Sequence, residues 1–274
     1  MTATPSQLRL GVIGGGAMAT ALLQGILSQG SLAAAEVGVS EPDAQKRKFL
    51  ADHLGVNVFA ENGAVLGARY LLLAIKPQVF PQVQGELAPL VSGLEPKPVL
   101  ISIMAGIPIA RLQGAFPGWG VVRTMPNTPA LVGAGITAVS CNSLVTETQR
   151  AEVMDWLRGV GEVVAVPEAL LDGVTAVSGS GPGYVALLME AMMDGAVQVG
   201  LPREVARQLV LATFRGTAEL CAAQFASPAL LKDQVTSPGG TTIAGLAELE
   251  KGAVRGALMA AIRAAYERAR VLGQ

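Results

Sequence analysis

Leu8-Arg-Leu-Gly-Val-Ile-Gly-Gly-Gly-Ala-Met-Ala19 joins a short apolar run to a helical one through three consecutive glycines. Leu8 to Ile13 has the length and character of a buried strand, and Ala17 to Leu27 carries helically spaced apolar residues. Gly14, Gly16 and Ala19 stand at the positions of a G-x-G-x-x-(G/A) pattern. Gly14 would permit the tight turn out of the strand, and Gly16 would let the backbone approach a pyrophosphate. Ala19 would let helix and sheet pack closely. The free amides and the dipole at that helix start suit an anion. In a chain with 33 glycines among 274 residues the bare pattern says little. Its setting, strand then loop then helix opening a domain, makes it a dinucleotide-binding loop.

Working outward, strand and helix alternate. Apolar runs at Val37–Val39, Tyr70–Ile75, Val99–Ile103, Gly120–Val122 and Ile136–Val139 read as strands, and Asp43 to Leu54 as a polar helix. Continuous apolar strands between helices imply a parallel sheet covered on both faces. Thr146-Glu-Thr-Gln149 has capping-box spacing and opens a helix to about Arg158, with Glu162–Val166 as a last strand. After Pro167 only helical periodicity remains, over 169–177, 182–199, 202–226, 242–251 and 253–271. The expected fold class is α/β: an N-terminal Rossmann-type dinucleotide-binding domain over 1–167, then an all-helical domain over 168–274. Small residues such as those in Ala257-Leu-Met-Ala-Ala-Ile262 let helices approach closely. The helical half has more apolar faces than it can bury alone, so a partner chain is expected to complete it.

Composition narrows the function. Charged residues make up 15% and hydrophobic residues 51%, which argues against disorder. The mean hydropathy of +0.46 raises a membrane reading. No run approaches the roughly 18 apolar residues of a spanning helix; the best, Tyr184 to Met193, is cut by Glu190 and then by Asp194. A net charge of −1 disfavours a nucleic-acid partner. Cys141 and Cys221 lie far apart, and His53 is the lone histidine, which excludes a zinc site and a histidine-based triad. Met1 to Arg9 lacks the basic and apolar regions of a signal peptide, so a cytoplasmic location is expected.

Ser40-Glu41-Pro42 ends the second strand and bears on cofactor type. A carboxylate there would pair with a free ribose 2′-hydroxyl and repel a 2′-phosphate. Ser40 and the basic Lys46-Arg47-Lys48 point the other way, although the triplet reads more readily as a solvated helix face. NAD and NADP both stay open. A second glycine loop, Thr236-Ser-Pro-Gly-Gly-Thr-Thr242, joins two helices. An N-cap needs one Ser or Thr, whereas this loop offers Gly239, Gly240 and several hydroxyls, with no Glu or Gln to complete a capping box. Exposed amides and hydroxyls at a helix start form a site for a small carboxylate. Ser178-Gly-Ser-Gly-Pro-Gly183 reads as a close helix crossing with a proline opening the next helix.

Taken in order, these segments resemble the pyrroline-5-carboxylate reductase family over essentially the whole chain. The resemblance is carried by Gly14–Ala19, Ala74-Ile-Lys-Pro77, Ser102-Ile-Met-Ala-Gly106, Arg123-Thr-Met-Pro-Asn-Thr-Pro129 and Ser178–Pro182. Most specific is Leu231-Lys-Asp-Gln-Val-Thr-Ser-Pro-Gly-Gly-Thr-Thr-Ile243. The resemblance implies a pyrophosphate loop over Ile13, Gly14, Gly15, Gly16, Ala17 and Met18, with Ser40 at the adenosine ribose and Asn62 near the adenine. It implies Ala74, Lys76 and Pro77 beside the nicotinamide ribose, and Ala105 on a further cofactor loop. The substrate 1-pyrroline-5-carboxylate would meet Ser237, Gly239, Gly240, Thr241 and Thr242, with Glu168 near the bound amino acid. NADPH is the implied cofactor, with NADH open because of Glu41; Gln234 stands where the family often carries asparagine. An intertwined homodimer through the helical domain is implied, with larger assemblies of dimers left open. There the cofactor and substrate loops meet across the interface.

Imine reduction is easiest when the ring nitrogen is protonated or hydrogen-bonded. With no histidine at hand, the Thr242 hydroxyl is the expected catalytic contact to that nitrogen. Two other readings compete. A hydroxy-acid dehydrogenase would use a lysine on a central helix, and the helical half offers only Lys232 and Lys251. A non-catalytic dinucleotide sensor would have no use for the carboxylate loop.

Overall fold

A computed structural model of the chain describes residues 8–272; Met1 to Gln7, read above for a targeting signal, and the last two residues lie outside the described residues. The chain divides by packing into two compact units: residues up to Ser180 together with those from Ala265, and Gly181–Ala264.

The first unit begins with β1 (Leu10–Ile13), α1 (Ala17–Ser28), β2 (Val37–Ser40), α2 (Ala44–Leu54), β3 (Asn57–Phe59), β4 (Tyr70–Leu73) and α3 (Phe80–Val91). It continues through β5 (Val99–Ser102), α4 (Ile109–Ala115), β6 (Val121–Met125), β7 (Gly135–Cys141), α5 (Glu147–Arg158), β8 (Gly161–Ala165) and the single turn α6 (Leu171–Val174). The strands form one sheet in the order β3-β2-β1-β4-β5-β6-β7-β8. Strand order reverses at β1, which pairs in parallel with β2 on one side and β4 on the other. In register, Ile13 lies beside Ser40 and Leu73, so three strands end together. Ligands of open α/β sheets bind outside such a switch point, at the carboxyl ends of the strands.

Alternate residues of the central strands feed two cores. Leu10, Val12, Tyr70 and Leu72 pack with Leu22, Leu23 and Ile26 of α1 and with Trp156 and Leu157 of α5. Ile13, Leu71 and Leu73 pack with Phe80, Val83 and Leu87 of α3 and with Leu112 of α4. Burial on both faces explains why these strands read as unbroken apolar runs.

The expectation of a wholly parallel sheet is corrected at β6 and β7, which pair antiparallel. Their connection holds only a 3-10 turn, Thr128–Val132. A parallel return needs a crossover of a dozen or more residues. The helix expected over 169–177 is a 3-10 turn (Glu168–Leu170), then α6, then a π-helical turn (Thr175–Gly179). The expected 202–226 helix stops at Gln224, and α3, α4 and the short strand β3 were not anticipated.

The second unit holds α7 (Gly181–Gln198), α8 (Arg203–Gln224), α9 (Pro228–Gln234), α10 (Thr241–Lys251) and most of α11 (Val254–Leu272). No residue of α7 or α10 is fully buried. Leu187 is 63%, Leu209 51% and Met259 68% exposed, so these apolar faces lack a cover among the described residues. Among the described residues no helix is long and apolar enough to cross a membrane.

Gly25 of α1 meets the end of α5. A Cβ there would lie 2.5 Å from Val160 Cγ1 and 2.7 Å from the Gly159 carbonyl. Gly→Ala inside an open helix gains about 1 kcal/mol. Here Gly25→Ala is expected to lower stability by about 1–3 kcal/mol because the backbone must shift. A fall in the urea unfolding midpoint checks this, and a rise would contradict it.

Candidate active site

The turn out of β1 is set by Gly14, at φ +98°, where a Cβ would press on the Ala74 carbonyl oxygen at 2.7 Å. The Gly14 amide donates to the Ser40 carbonyl (2.8 Å), and the Ala74 amide to the Ile13 carbonyl (2.9 Å), which binds the three strand ends together. Gly16 is the N-cap of α1 and brings no side chain to its first-turn amides. Nothing lies within 4 Å of the point where a Gly16 Cβ would stand. Open space over uncapped amides at a helix start is the geometry that receives an anion.

The end of β2 is arranged differently from a simple ribose-binding carboxylate. Glu41 is only 6% exposed. Its carboxylate accepts the Gly15 amide (2.8 Å) and the Asp43 amide (3.1 Å). Ser40 Oγ donates to Asn62 Oδ1 (2.7 Å), and Asn62 Nδ2 donates to Glu86 (3.0 Å). Asp43 caps α2, accepting the Gln45 and Lys46 amides; these two bonds hold its carboxyl below the usual range.

Ile13, Gly14, Gly16, Ser40, Asn62, Ala74 and Lys76 line one cleft of about 360 Å³, joined by Glu41, Lys46 and Glu86. Of the other expected cofactor residues, Gly15 sits beneath it on Glu41, and Ala17 and Met18 occupy the first turn of α1. Pro77 opens a 3-10 turn after Lys76. Ala105 lies in the loop between β5 and α4, outside the cleft lining.

Glu168 reaches that last loop. Its Oε1 accepts the Ile109 amide at the start of α4 (2.6 Å) and faces Arg123 Nη1 (3.1 Å). The other guanidinium nitrogen of Arg123 lies 3.5 Å from Asp172, and the Arg123 side chain is only 7% exposed. The motif beginning at Arg123 assigns that residue no role, although a charge inside the apolar run Val121-Val-Arg-Thr-Met125 is itself a signal. In the Ser178–Gly183 segment, Gly179 is the close approach: a Cβ there would lie 2.7 Å from Met125 Cε. The lone histidine is on α2, stacked on Phe49 with ring centroids 4.1 Å apart.

In the helical unit, Gly239 adopts φ +68° and the Gly240 amide donates to the Ser237 carbonyl (3.1 Å). Gly240 is the N-cap of α10 and supplies no side chain to its amides. Thr241 and Thr242 are the first two residues of that helix, and Ser237 is exposed. A Cβ on Gly240 would meet Ser237 Oγ, so a side chain there would push the Ser237 hydroxyl aside. The loop thus presents bare amides beside three hydroxyl residues.

A dinucleotide-type glycine loop at a sheet switch point, with a second uncapped helix start in a helical region, defines a nicotinamide-dependent oxidoreductase. Residues 168–272 match the family model for pyrroline-5-carboxylate reductase dimerisation, and residues 9–106 match that for NADP oxidoreductase, coenzyme F420-dependent. A pyrroline-5-carboxylate reductase of Synechocystis is 48% identical, over 97% of this chain and 99% of its own. Among solved structures, the Coxiella burnetii pyrroline-5-carboxylate reductase superposes with a TM-score of 0.89 at 32% identity, covering 98% of this chain and 99% of the other. The Plasmodium falciparum pyrroline carboxylate reductase, solved with NADP bound, gives 0.87 at 31% identity, with coverage of 98% and 99%. The chain belongs to the pyrroline-5-carboxylate reductase family. It is an NAD(P)H-dependent oxidoreductase, and its residues 168–272 are a dimerisation region.

Glu168→Ala is expected to cost about 1–3 kcal/mol, since it leaves the Ile109 amide without its acceptor and the Arg123 guanidinium with Asp172 alone. Glu168→Gln keeps an acceptor oxygen and should cost less than half as much. Urea unfolding of the two variants side by side checks the ordering.

Proposed function

We propose that the chain reduces the C=N bond of 1-pyrroline-5-carboxylate to give L-proline, the last step of proline biosynthesis, with NADPH as cofactor. The observation that carries the substrate reading is the glycine-capped start of α10, where Gly240 brings no side chain and the first-turn amides are left without a cap beside Ser237, Thr241 and Thr242. The cofactor reading is supported by the open space at Gly16, the uncapped start of α1 and the cleft that follows. These residues fit a dinucleotide. In the proposal Gly14, Gly16, Ala17 and Met18 surround the pyrophosphate, with Gly15 shaping the turn and Ile13 beneath it. Ser40 and Asn62 stand at the adenosine end, and Ala74, Lys76, Pro77 and Ala105 at the nicotinamide end.

The bound dihydronicotinamide supplies a hydride to the imine carbon. The chain's own residues do the rest. Ser237 and the Thr241 amide hold the substrate carboxylate, the Gly240 amide being taken by the Ser237 carbonyl, and the Thr242 hydroxyl faces the ring nitrogen. The substrate's own iminium or solvent furnishes the proton that the nitrogen keeps, because His53 is turned to Phe49 on α2. Positioning of two carbons in a site shielded from water contributes most of the acceleration. Glu168 is placed near the bound amino acid, with one carboxylate oxygen already held by Arg123 and Ile109. We draw the working boundary at 167/168, cofactor before it, substrate and self-association after it. The exposed apolar faces of α7, α8 and α11 support a homodimer through the helical region.

Following nicotinamide absorbance with pyrroline-5-carboxylate and with keto acids, using NADPH and NADH in parallel, tests the reading. Turnover of the imine alone is expected, and turnover of keto acids would replace it. Thr242→Val keeps shape and removes the hydroxyl. A loss of about 10- to 100-fold in kcat/KM is expected, and an unchanged value would remove Thr242 from the chemistry.

A further inference from the structure

Three acidic side chains, Glu41, Asp43 and Asp52, and the three basic ones of 46–48 follow β2 within a dozen residues, and the structure sorts them. Glu41 lines the cleft but is buried, and its carboxylate holds the Gly15 amide at 2.8 Å and the Asp43 amide at 3.1 Å. Gly15 is fitted to this corner: a Cβ on it would meet Leu50 Cδ1 at 2.6 Å and Glu41 Cγ at 3.3 Å. Arg47 is held on the carbonyls of Glu41 and Pro42, at 2.7 and 2.8 Å. Lys48 is held by Asp52 at 2.7 Å. The α2 amides of Gln45 and Lys46 are held by Asp43. Of the triplet 46–48, only Lys46 lines the cleft, next to Ser40 and Asn62.

We propose that Glu41 is a positioning residue that fixes the glycine loop and takes no part in choosing the cofactor, and that Lys46 makes that choice at the mouth of the same cleft. This rests on the cofactor reading proposed above. A buried carboxylate whose oxygens already serve two backbone amides is poorly placed to bind a ribose hydroxyl. Its effect on the nucleotide passes through Gly15, and so acts equally on NADPH and NADH. Lys46 carries an exposed ammonium at the adenosine end, where the two cofactors differ by a phosphate, and a cation there acts most strongly on that difference.

The test titrates NADPH and NADH into the wild-type protein and into Glu41→Ala, Glu41→Gln and Lys46→Met by isothermal calorimetry, and follows Gly15 amide exchange. Glu41→Ala is expected to weaken both nucleotides by the same factor, about 10-fold, and to speed Gly15 exchange by a similar factor. Glu41→Gln keeps one acceptor oxygen for the Gly15 amide while its NH2 meets the Asp43 amide, and should recover part of the loss in both nucleotides equally. Lys46→Met should weaken NADPH by about 10-fold and leave NADH unchanged. A shift in the NADPH-to-NADH ratio in either Glu41 variant, or unaltered binding in Glu41→Ala, would overturn the positioning role. An unmoved ratio in Lys46→Met would overturn the selecting role. If the wild-type protein bound neither nucleotide, the cofactor reading itself would fall, which a wild-type titration separates from the other outcomes.

Discussion

The way the chain leaves β1 constrains most of what surrounds the site. Gly14 must turn at a positive φ directly against the Ala74 carbonyl, in a space with no room for a side chain. That turn is possible because β1, β2 and β4 end in register, so that Gly14 can bond to Ser40 while Ala74 bonds to Ile13. The register in turn depends on apolar residues that alternate between two cores. Sheet packing, strand register and loop conformation are therefore one problem, and its solution is a helix start aimed at solvent.

Two acidic residues near the site share a habit. Glu41 accepts the Gly15 amide, and Glu168 accepts the Ile109 amide at the head of α4. Each carboxylate satisfies a backbone donor that a turn or a helix start would otherwise leave without a partner. Acidic side chains beside a nucleotide site invite reading as ligands. Here both are first of all supports for loops; Arg123 pairs with the Glu168 carboxylate, whereas Arg47 donates to the backbone carbonyl of Glu41.

What could be read in the sequence was local. The strand, glycine loop and helix at residues 10–28 follow from contiguous residues, as does the capping box, in which Thr146 and Gln149 bond each other's amides. The start of α10 at Gly240–Thr241 was legible for the same reason. The antiparallel turn between β6 and β7 was hidden because pairing direction depends on the length of a connection, not on the strands. Strand β3 is three half-buried residues at the sheet edge, too short to show a period. The contact of Arg123 with Glu168 joins residues 45 apart in sequence, and Glu41 with Gly15 joins residues 26 apart; no spacing rule reports either.

The uncovered leucines and methionines of the helical unit give the high average hydropathy a different meaning. Grease that would be a liability on a solitary protein belongs, in a dimerisation region, to the interior of the finished particle. Association then holds up the fold by mass action, and stability rises with the number of copies present. Dilution below the association threshold would then return these side chains to water and weaken each subunit.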